Sequence, residues 1–565
     1  MGEGALYIQS DWTVLLDSAH SGAASIRDAL ARFAELVKAP DRFQTYRITP
    51  VTLWGAAGQG WTADEVCGFL AGNSANLPGE NMLSGLRECM SRYGKWTIMR
   101  EGDTLLLDAS DNNLMDAWLK NSRWAEQLVK RSDGKMEMPE ALRGAIKQEL
   151  FQQGHPVVDT AGFHHGEALE IRLRDPESSG FSLRPYQQDA ATAFCREGER
   201  QAGSGVIVMP CGSGKTVVGI AAMAQLGCAT LVLTPNVSSL RQWKREICEK
   251  TGIASDQIGE YSGERKEVRP ITLATYQILT HRGSAEQPFR HMRLFAERDW
   301  GLVIYDEVHL LPAPVFRATA DIQATRRLGL TATLIREDGC EGDVFALIGP
   351  KLYELPWRQL EANNWIAQVE AAEYRIPLPD SIEGRYRAAL PRERYRIAAE
   401  NAGKLEWVAR LLNKHRGKGA LVIGHYLGQL REASRRLQAP LITGNTPHDE
   451  RERLYEQFRR GETKVLIVSK VANFAIDLPQ ASLAIQLSGS YGSRQEEAQR
   501  LGRVLRPKLG DNRAYFYTLV SGGTVEEDFS RNRRLFLLEQ GYEYRIETAD
   551  LVAADDAVGE DLVQF

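Results

Sequence analysis

The sequence predicts an α/β chain built on two parallel sheets in tandem, with a helix-rich domain in front of them. Three observations predict it. From Gly180 onward, GVIVMP (205–210), ATLVLTP (229–235), ITLATYQ (271–277), LVIYDEVH (302–309) and RRLGLTAT (326–333) read as buried strands between amphipathic helices. A second set, ALVIGH (420–425), PLITG (440–444), KVLIVS (464–469), LAIQLS (483–488) and AYFYTLV (514–520), follows a polar break. Near-continuous apolar runs of this kind mark parallel strands whose faces are both covered by helices. Residues 1–145 have a different texture, which sets them apart as a domain of their own.

Within that first domain, Ser10–Val37 carries Leu15, Leu16, Ile26, Leu30, Phe33 and Leu36 at mixed three- and four-residue steps, which predicts helix. YRITPVTLWGAAGQGWTADEVCGFLAGNS reads as helix, Gly-rich turn, helix, with Thr62 as N-cap and Asp64 and Glu65 in the first turn. MLSGLRECMSRYG reads as a third helix ending at Gly94. KWTIMREGDTLLLDA then predicts two strands about a turn at Glu101-Gly102-Asp103. Three helices and a hairpin form a winged-helix-like pattern, suited to DNA binding or, equally, to protein docking or spacing.

Composition narrows the class. The chain has 565 residues, 43% hydrophobic and 25% charged, with net charge -5. These values are ordinary for a globular chain and exclude a disordered or fibrous one. No apolar run approaches the ~18 residues of a membrane span. The start MGEGALYIQSDW lacks the order of a secretory signal. Seven cysteines, none in a C-x-x-C pair, form neither a disulfide framework nor a metal comb. A cytoplasmic location is therefore expected. With a mildly acidic whole, a nucleic-acid partner needs a local basic groove. Ile382–Lys418, with ten Lys or Arg against four Glu, is the one basic stretch noted.

The chemistry begins where GVIVMP runs into CGSGKT and a helix. Gly212, Ser213 and Gly214 let backbone N–H groups wrap a polyphosphate, Lys215 places charge on it, and Thr216 can ligate Mg²⁺. Met209 stands where the full pattern has its first Gly. Further on, LVIYDEVH ends a strand in Asp306-Glu307, an arrangement that holds Mg²⁺ and polarises an attacking water. Adjacent carboxylates repel, so they need a cation. In the second sheet, QRLGRVLR (499–506) places Arg503 and Arg506 three apart, which on a helix is one face. Such arginines can stabilise the charge that develops on a γ-phosphate. A nucleotide on one lobe and fingers on the other describe a motor.

These residues resemble superfamily 2 helicases. RPYQ (184–187), PCGSGKT (210–216), TPNVSSLRQW (234–243), TYQ (275–277), DEVH (306–309), TAT (331–333) and QRLGRVLR (499–506) occur in that family's order over about residues 181–540. Arg336-Glu337-Asp338, directly after TAT, looks like the RED motif of XPB-type helicases. SKVANFAIDLPQASLAIQLSGSYGSRQEEAQRLGRVLR (469–506) is similar to that type's fifth and sixth motifs, with Ala475 where most superfamily members have Gly. Residues 45–110 resemble the N-terminal helicase-associated domain of bacterial XPB-type proteins, and a short stretch at 385–418 sits where the type has its thumb-like motif. The lack of a cysteine comb separates the chain from iron–sulfur XPD-type relatives.

The resemblance implies two RecA-like lobes and an ATP-dependent DNA helicase, a hydrolase of 3′-to-5′ polarity acting in repair on single-stranded and forked DNA. It implies ATP and Mg²⁺ as cofactors, and a nuclease partner by analogy. Lys215, Thr216, Asp306 and Glu307 would serve phosphate, metal and water; Gln499, Arg503 and Arg506 the γ-phosphate; Arg184 and Gln187 the adenine. Thr331 and Thr333 would couple hydrolysis to movement, and Arg336, Glu337 and Asp338 would act in strand separation. Gln242, Trp243, Thr275 and Tyr276 lie in motifs that touch the DNA strand, although Trp243 and Tyr276 also read as core. His309 reads as a structural link between the carboxylates and the coupling segment. The expected divisions are 1–145 (helicase-associated, winged-helix-like), 146–180 (a connecting segment that could belong to a DNA-recognition domain), 181–355 (lobe one), 356–418 (connector with the thumb-like segment), 419–540 (lobe two) and 541–565 (acidic tail). A duplex translocase, or an ATP-gated subunit that recruits a nuclease, is the alternative to a helicase.

Overall fold

The computed structural model describes residues 4–38, 42–76, 78–195, 203–282, 289–312, 315, 318–320, 322–323, 325–332, 341–355, 357–469, 481–489, 493–508, 511–540 and 542–548. The chain divides into two compact units, Met1–Met209 with Gly214–Leu355 and Pro210–Ser213 with Pro356–Phe565. No described helix is long and apolar enough to cross a membrane.

The first unit opens with β1 (Leu6–Ile8), β2 (Thr13–Asp17), α1 (Ala23–Leu30), β3 (Glu35–Lys38) and β4 (Phe43–Arg47), whose strands form an antiparallel sheet in the order β1-β2-β4-β3. This corrects the helix expected over Ser10–Val37. Val14 and Leu16 are both buried while their neighbours are not, which is the two-residue period of a strand, and only α1 is helical. Next come α2 (Pro50–Gly58), α3 (Ala63–Gly72), α4 (Glu80–Ser91), β5 (Trp96–Glu101) and β6 (Thr104–Ala109), the expected three helices and hairpin. Thr62 caps α3 in a reciprocal box with Glu65. The hairpin does not stand alone. With β7 (Val129–Lys130), β8 (Met136–Met138) and β9 (Val157–Asp159) it makes a sheet ordered β7-β8-β6-β5-β9. The expected boundary at 145/146 therefore falls inside a folded unit: it cuts helix Arg143–Gln152 and would detach β9 from β5.

Lobe one of the two RecA-like lobes is a parallel sheet of β10 (Ser204–Val208), β11 (Thr230–Thr234), β12 (Ile258–Tyr261), β13 (Ile271–Thr275), β14 (Leu302–Asp306), β15 (Arg326–Thr331) and β16 (Lys351–Glu354), ordered β12-β13-β11-β14-β15-β10-β16. The strands β12 and β16 were not expected; they are short edge strands with polar residues. Parallel register brings Val208 opposite Thr331, Asp306 opposite Leu330, and Thr234 opposite Thr275. The carboxyl ends of five strands thus share one edge, the usual place for a ligand in an open α/β sheet.

The segment Arg143–Gln152 docks the N-terminal part onto lobe one. A Cβ on Gly144 would fall 2.2 Å from the Ala320 carbonyl oxygen, so only glycine permits the approach. Phe151 packs between Trp54 and Phe345, with ring centres 5.4 and 5.8 Å away. Beneath them the fully buried Arg143 donates to both oxygens of Asp159, at 2.9 and 2.8 Å. Lys147 donates to Asp159 at 3.1 Å and to Gln323 of lobe one at 2.9 Å. Burial alone would raise the Asp159 carboxyl, but Lys147 and Arg143 hold it well below the usual range.

Lobe two is also parallel, ordered β19-β20-β18-β21-β22-β17-β23, with β17 (Gln368–Ile376), β18 (Gly419–Gly424), β19 (Leu441–Ile442), β20 (Val465–Ser469), β21 (Ala481–Gln486), β22 (Arg513–Ser521) and β23 (Tyr544–Thr548). Two divisions are corrected here. β17 lies in the supposed connector, yet it pairs with β22 over nine residues, from Gln368 opposite Arg513 to Ile376 opposite Ser521. β23 lies in the supposed tail and pairs with β17 on its other side. Helix Gly403–Lys414 lies within the supposed thumb-like stretch, but its Leu405, Val408, Leu411 and Leu412 join the lobe-two core. Only Asp380–Ala388 and Pro391–Ala399, joined at exposed Leu390, form a helix pair there.

Replacing Asp159 by Ala leaves two cations without their shared carboxylate. We expect a loss of about 3–5 kcal/mol of stability, read by urea unfolding. A loss below about 1 kcal/mol, the level of an exposed pair, would mean that the cluster is solvated and not a structural lock.

Candidate functional site

The first group of candidate residues forms where β10 leaves the sheet. Met209 continues the ladder, its N–H bonding to the Thr331 carbonyl at 3.0 Å, and its side chain is fully buried. That accounts for Met in place of the pattern's first Gly: the position belongs to the core. Gly212 and Gly214 then take φ of +81° and +87°, left-handed values that glycine adopts without strain. Ser213 donates to the Pro210 carbonyl at 2.6 Å and closes the turn. Helix Lys215–Leu226 starts at Gly214 with no side chain capping its first turn, an arrangement suited to an anion. Thr216 sits half-buried in that turn.

Lys215 is buried, with its Nζ 3.5 Å from the Met209 carbonyl oxygen and 3.6 Å from Glu307 Oε1. Glu307 follows β14 in the left-handed region, φ +50°, strained for a non-glycine residue. His309 Nδ1 lies 3.6 Å from Glu307 Oε2 and 2.6 Å from Thr331 Oγ1. A connected polar row therefore runs Lys215, Glu307, His309, Thr331. Beside it, burial and then the Glu307 charge push the Asp306 carboxyl up to about 7, against the opposing N–H of Trp243. Among the described residues no cluster of three or more His, Cys, Asp or Glu could hold a metal.

The motif residues expected near the adenine, Arg184 and Gln187, are bonded to one another. The Arg184 backbone N–H donates to Gln187 Oε1 at 3.0 Å and its guanidinium to the Tyr186 hydroxyl at 3.0 Å. Gln187 is buried against the phosphate loop: a Cβ on Gly214 would come 2.4 Å from its Nε2. Of the residues expected to touch DNA, Gln242 is half-buried and donates to Glu246 at 3.1 Å. Thr275 caps the turn Tyr276–Leu279 by accepting from the Ile278 N–H at 3.3 Å. Trp243 and Tyr276 are 1% and 4% exposed and bond to Asp306, at its Oδ2 (3.1 Å) and its carbonyl oxygen (2.8 Å). Buried inside lobe one, they offer no surface to a strand. Thr333, Arg336, Glu337, Asp338 and Ala475 lie outside the described residues.

In lobe two, Ser493 caps helix Arg494–Gly502 by accepting from the Glu496 N–H at 3.2 Å. Gln499 is buried, and Arg503 and Arg506 are half-buried. The expectation of one helix face for the two arginines is corrected. The helix ends at Gly502 with Arg503 as its C-cap, so Arg506 lies beyond it. Arg506 also precedes Pro507, which disfavours helical backbone at that residue. Lys508 holds the Arg506 stretch by donating to the Val504 and Arg506 carbonyls at 2.7 and 3.1 Å. Behind the helix, Arg500 donates to the Ser488 carbonyl at 3.3 Å, and Arg533 lies 3.6 Å from Glu497 and against Gly489. Sequence reasoning missed Lys508, Arg533 and Glu497, because their partners lie on other elements or in irregular backbone and no local spacing marks them.

Set beside known proteins, the chain is 49% identical over 552 residues to "DNA 3'-5' helicase XPB" of Mycobacterium tuberculosis, covering 97% of this chain and 99% of that one. The chain belongs to the XPB helicase family. It is 48% identical to the XPB helicase of Kineococcus radiotolerans, over 97% of each chain. It is 34% identical to the "General transcription and DNA repair factor IIH helicase/translocase subunit XPB" of Antonospora locustae, over 97% of this chain and 82% of that one. The ERCC3/RAD25/XPB C-terminal helicase family matches residues 360–561. That match begins ahead of β17, in agreement with a second lobe that starts before residue 419. "Type III restriction enzyme, res subunit" matches residues 180–336, and "Helicase conserved C-terminal domain" matches 6–133.

The raised Asp306 carboxyl has a consequence for stability in this XPB-family chain. A carboxyl whose folded value lies above the unfolded 3.8 contributes fully only below that value, and the contribution is lost as pH rises through about 7. Asp306→Asn cannot lose it. In EDTA and without nucleotide, the variant should therefore gain on the parent as pH rises from 5 to 8. Urea unfolding at both pH values measures this, and parallel pH profiles would contradict the assignment.

Proposed function

We propose that this XPB-family chain is an ATP-driven DNA helicase that moves 3′ to 5′ and separates strands in DNA repair, acting on single-stranded and forked DNA. One observation carries the reading beyond family membership. Lys215, Thr216, Asp306, Glu307, His309 and Thr331 converge on the carboxyl edge of a single sheet, beside an uncapped helix N-terminus and two left-handed glycines.

The donor set fits a nucleotide with Mg²⁺. Two adjacent carboxyls, one of them pushed toward neutrality, need a cation to ionise together. Thr216 and Asp306 would hold it, and bound there it neutralises charge on the β- and γ-phosphates. The loop N–H groups bind phosphate oxygens, and Lys215 turns from Glu307 to the phosphates. Released from Lys215, Glu307 orients the attacking water, and His309 carries the change in Glu307 to Thr331 at the end of β15. Arg503 and Arg506 supply positive charge to the γ-phosphate, with Gln499 in support. The rear anchors Arg500 and Arg533 keep the segment bearing them in place.

Strand displacement on duplexes with a 3′ tail, a 5′ tail or blunt ends tests this, with Glu307→Gln as the inactive control. Displacement of the 3′-tailed duplex alone is expected. Hydrolysis stimulated by DNA without displacement would favour a duplex translocase or a subunit that recruits a nuclease. Arg506→Ala should keep nucleotide affinity and lower turnover by about 10³-fold; unchanged turnover would remove Arg506 from the site.

A further inference from the structure

Trp243 sits in a slot cut for it. Helix Lys215–Leu226 presents Gly219 to the ring, and a Cβ there would fall 2.5 Å from Trp243 Cη2. The ring is 1% exposed, so this is not a surface residue. Its only polar atom, the indole N–H, points at Asp306 and donates to Oδ2 at 3.1 Å. From the other side, the Tyr276 hydroxyl donates to the Asp306 carbonyl at 2.8 Å. The carboxylate is thus held by helix Val237–Lys250 and the main chain behind it by the turn Tyr276–Leu279. These are the two elements whose motifs, by the family resemblance, touch the DNA strand. Gln242, the neighbour of Trp243, lies half-buried on the same helix.

We infer that Trp243 is a positioning residue for the metal-facing carboxylate: its indole N–H sets the plane of Asp306, so that a shift of helix Val237–Lys250 is felt at the metal. Apolar packing alone does not account for the geometry, because Phe would fill the slot without donating. A carboxylate that ligates a metal needs such an outer partner, and removal of one typically weakens metal affinity by about 10- to 100-fold. The inference rests on the reading of Asp306 as a metal ligand and assigns it a partner.

The test uses the full chain with a non-hydrolysable ATP analogue and Mn²⁺, whose binding is followed by electron paramagnetic resonance. Trp243→Phe should weaken Mn²⁺ about 10-fold and leave metal-free binding of the analogue unchanged. Its DNA stimulation of hydrolysis should fall as well. Replacing Trp243 by its benzothiophene isostere keeps the shape and removes only the donor, so it remains informative if Phe loosens the fold; the same weakening is expected. Unchanged Mn²⁺ affinity in the isostere would overturn the inference. Asp306→Asn separates the two readings. If it abolishes Mn²⁺ binding while the isostere does not weaken it, only the role of Trp243 falls. If Asp306→Asn binds Mn²⁺ normally, the metal-site reading itself is wrong.

Discussion

Two carboxyl groups side by side at the end of a buried strand are the constraint on which lobe one depends. Asp306 and Glu307 cannot both carry charge there without compensation, and the surroundings are arranged accordingly. Lys215 approaches Glu307 from the phosphate loop, at 3.6 Å. Trp243 and Tyr276 each spend their one polar hydrogen on Asp306. Glu307 takes up a left-handed backbone that turns its side chain toward Lys215 and His309. A site under such tension is stabilised by its ligand, which suits a motor that must distinguish loaded from empty.

Lobe two meets the same problem with buried cations. Lys404 is fully buried and reaches both oxygens of Glu526, at 2.8 and 2.7 Å. Arg500, within helix Arg494–Gly502, donates to the Ser488 carbonyl, and Arg533 lies 3.6 Å from Glu497 of the same helix. Paired charges of this kind add little net stability but are costly to break, so they favour a single arrangement over sliding alternatives. In the first unit, the cluster of Arg143, Lys147 and Asp159 does the equivalent for the N-terminal part, which is seated on lobe one by matched charge, a glycine contact and packed aromatic rings.

How far the sequence could be read follows from burial. All five central strands of lobe one were legible, because parallel strands covered on both faces become continuous apolar runs. The strands β12, β16, β17 and β23 were not, since edge positions or partly polar faces break that pattern: QVEAAEYRI looks like a linker until it pairs with β22. The stretch Ser10–Val37 misled because adjacent Leu15 and Leu16 imitate a helical stripe. Arg503 and Arg506 misled because the helix stops at Gly502, before either of them.

By itself the sequence determined the phosphate loop, the acidic pair, the order of the motifs and with them the family, because those features are local: they depend on spacing along a strand, a turn and a helix start. Only the tertiary structure decided where the long-range partners go. Trp243 and Tyr276 turned inward to Asp306, Asp159 joined two cations, and the second lobe began at β17. No periodicity encodes these contacts, because each depends on which elements the fold brings together after distant strands have paired.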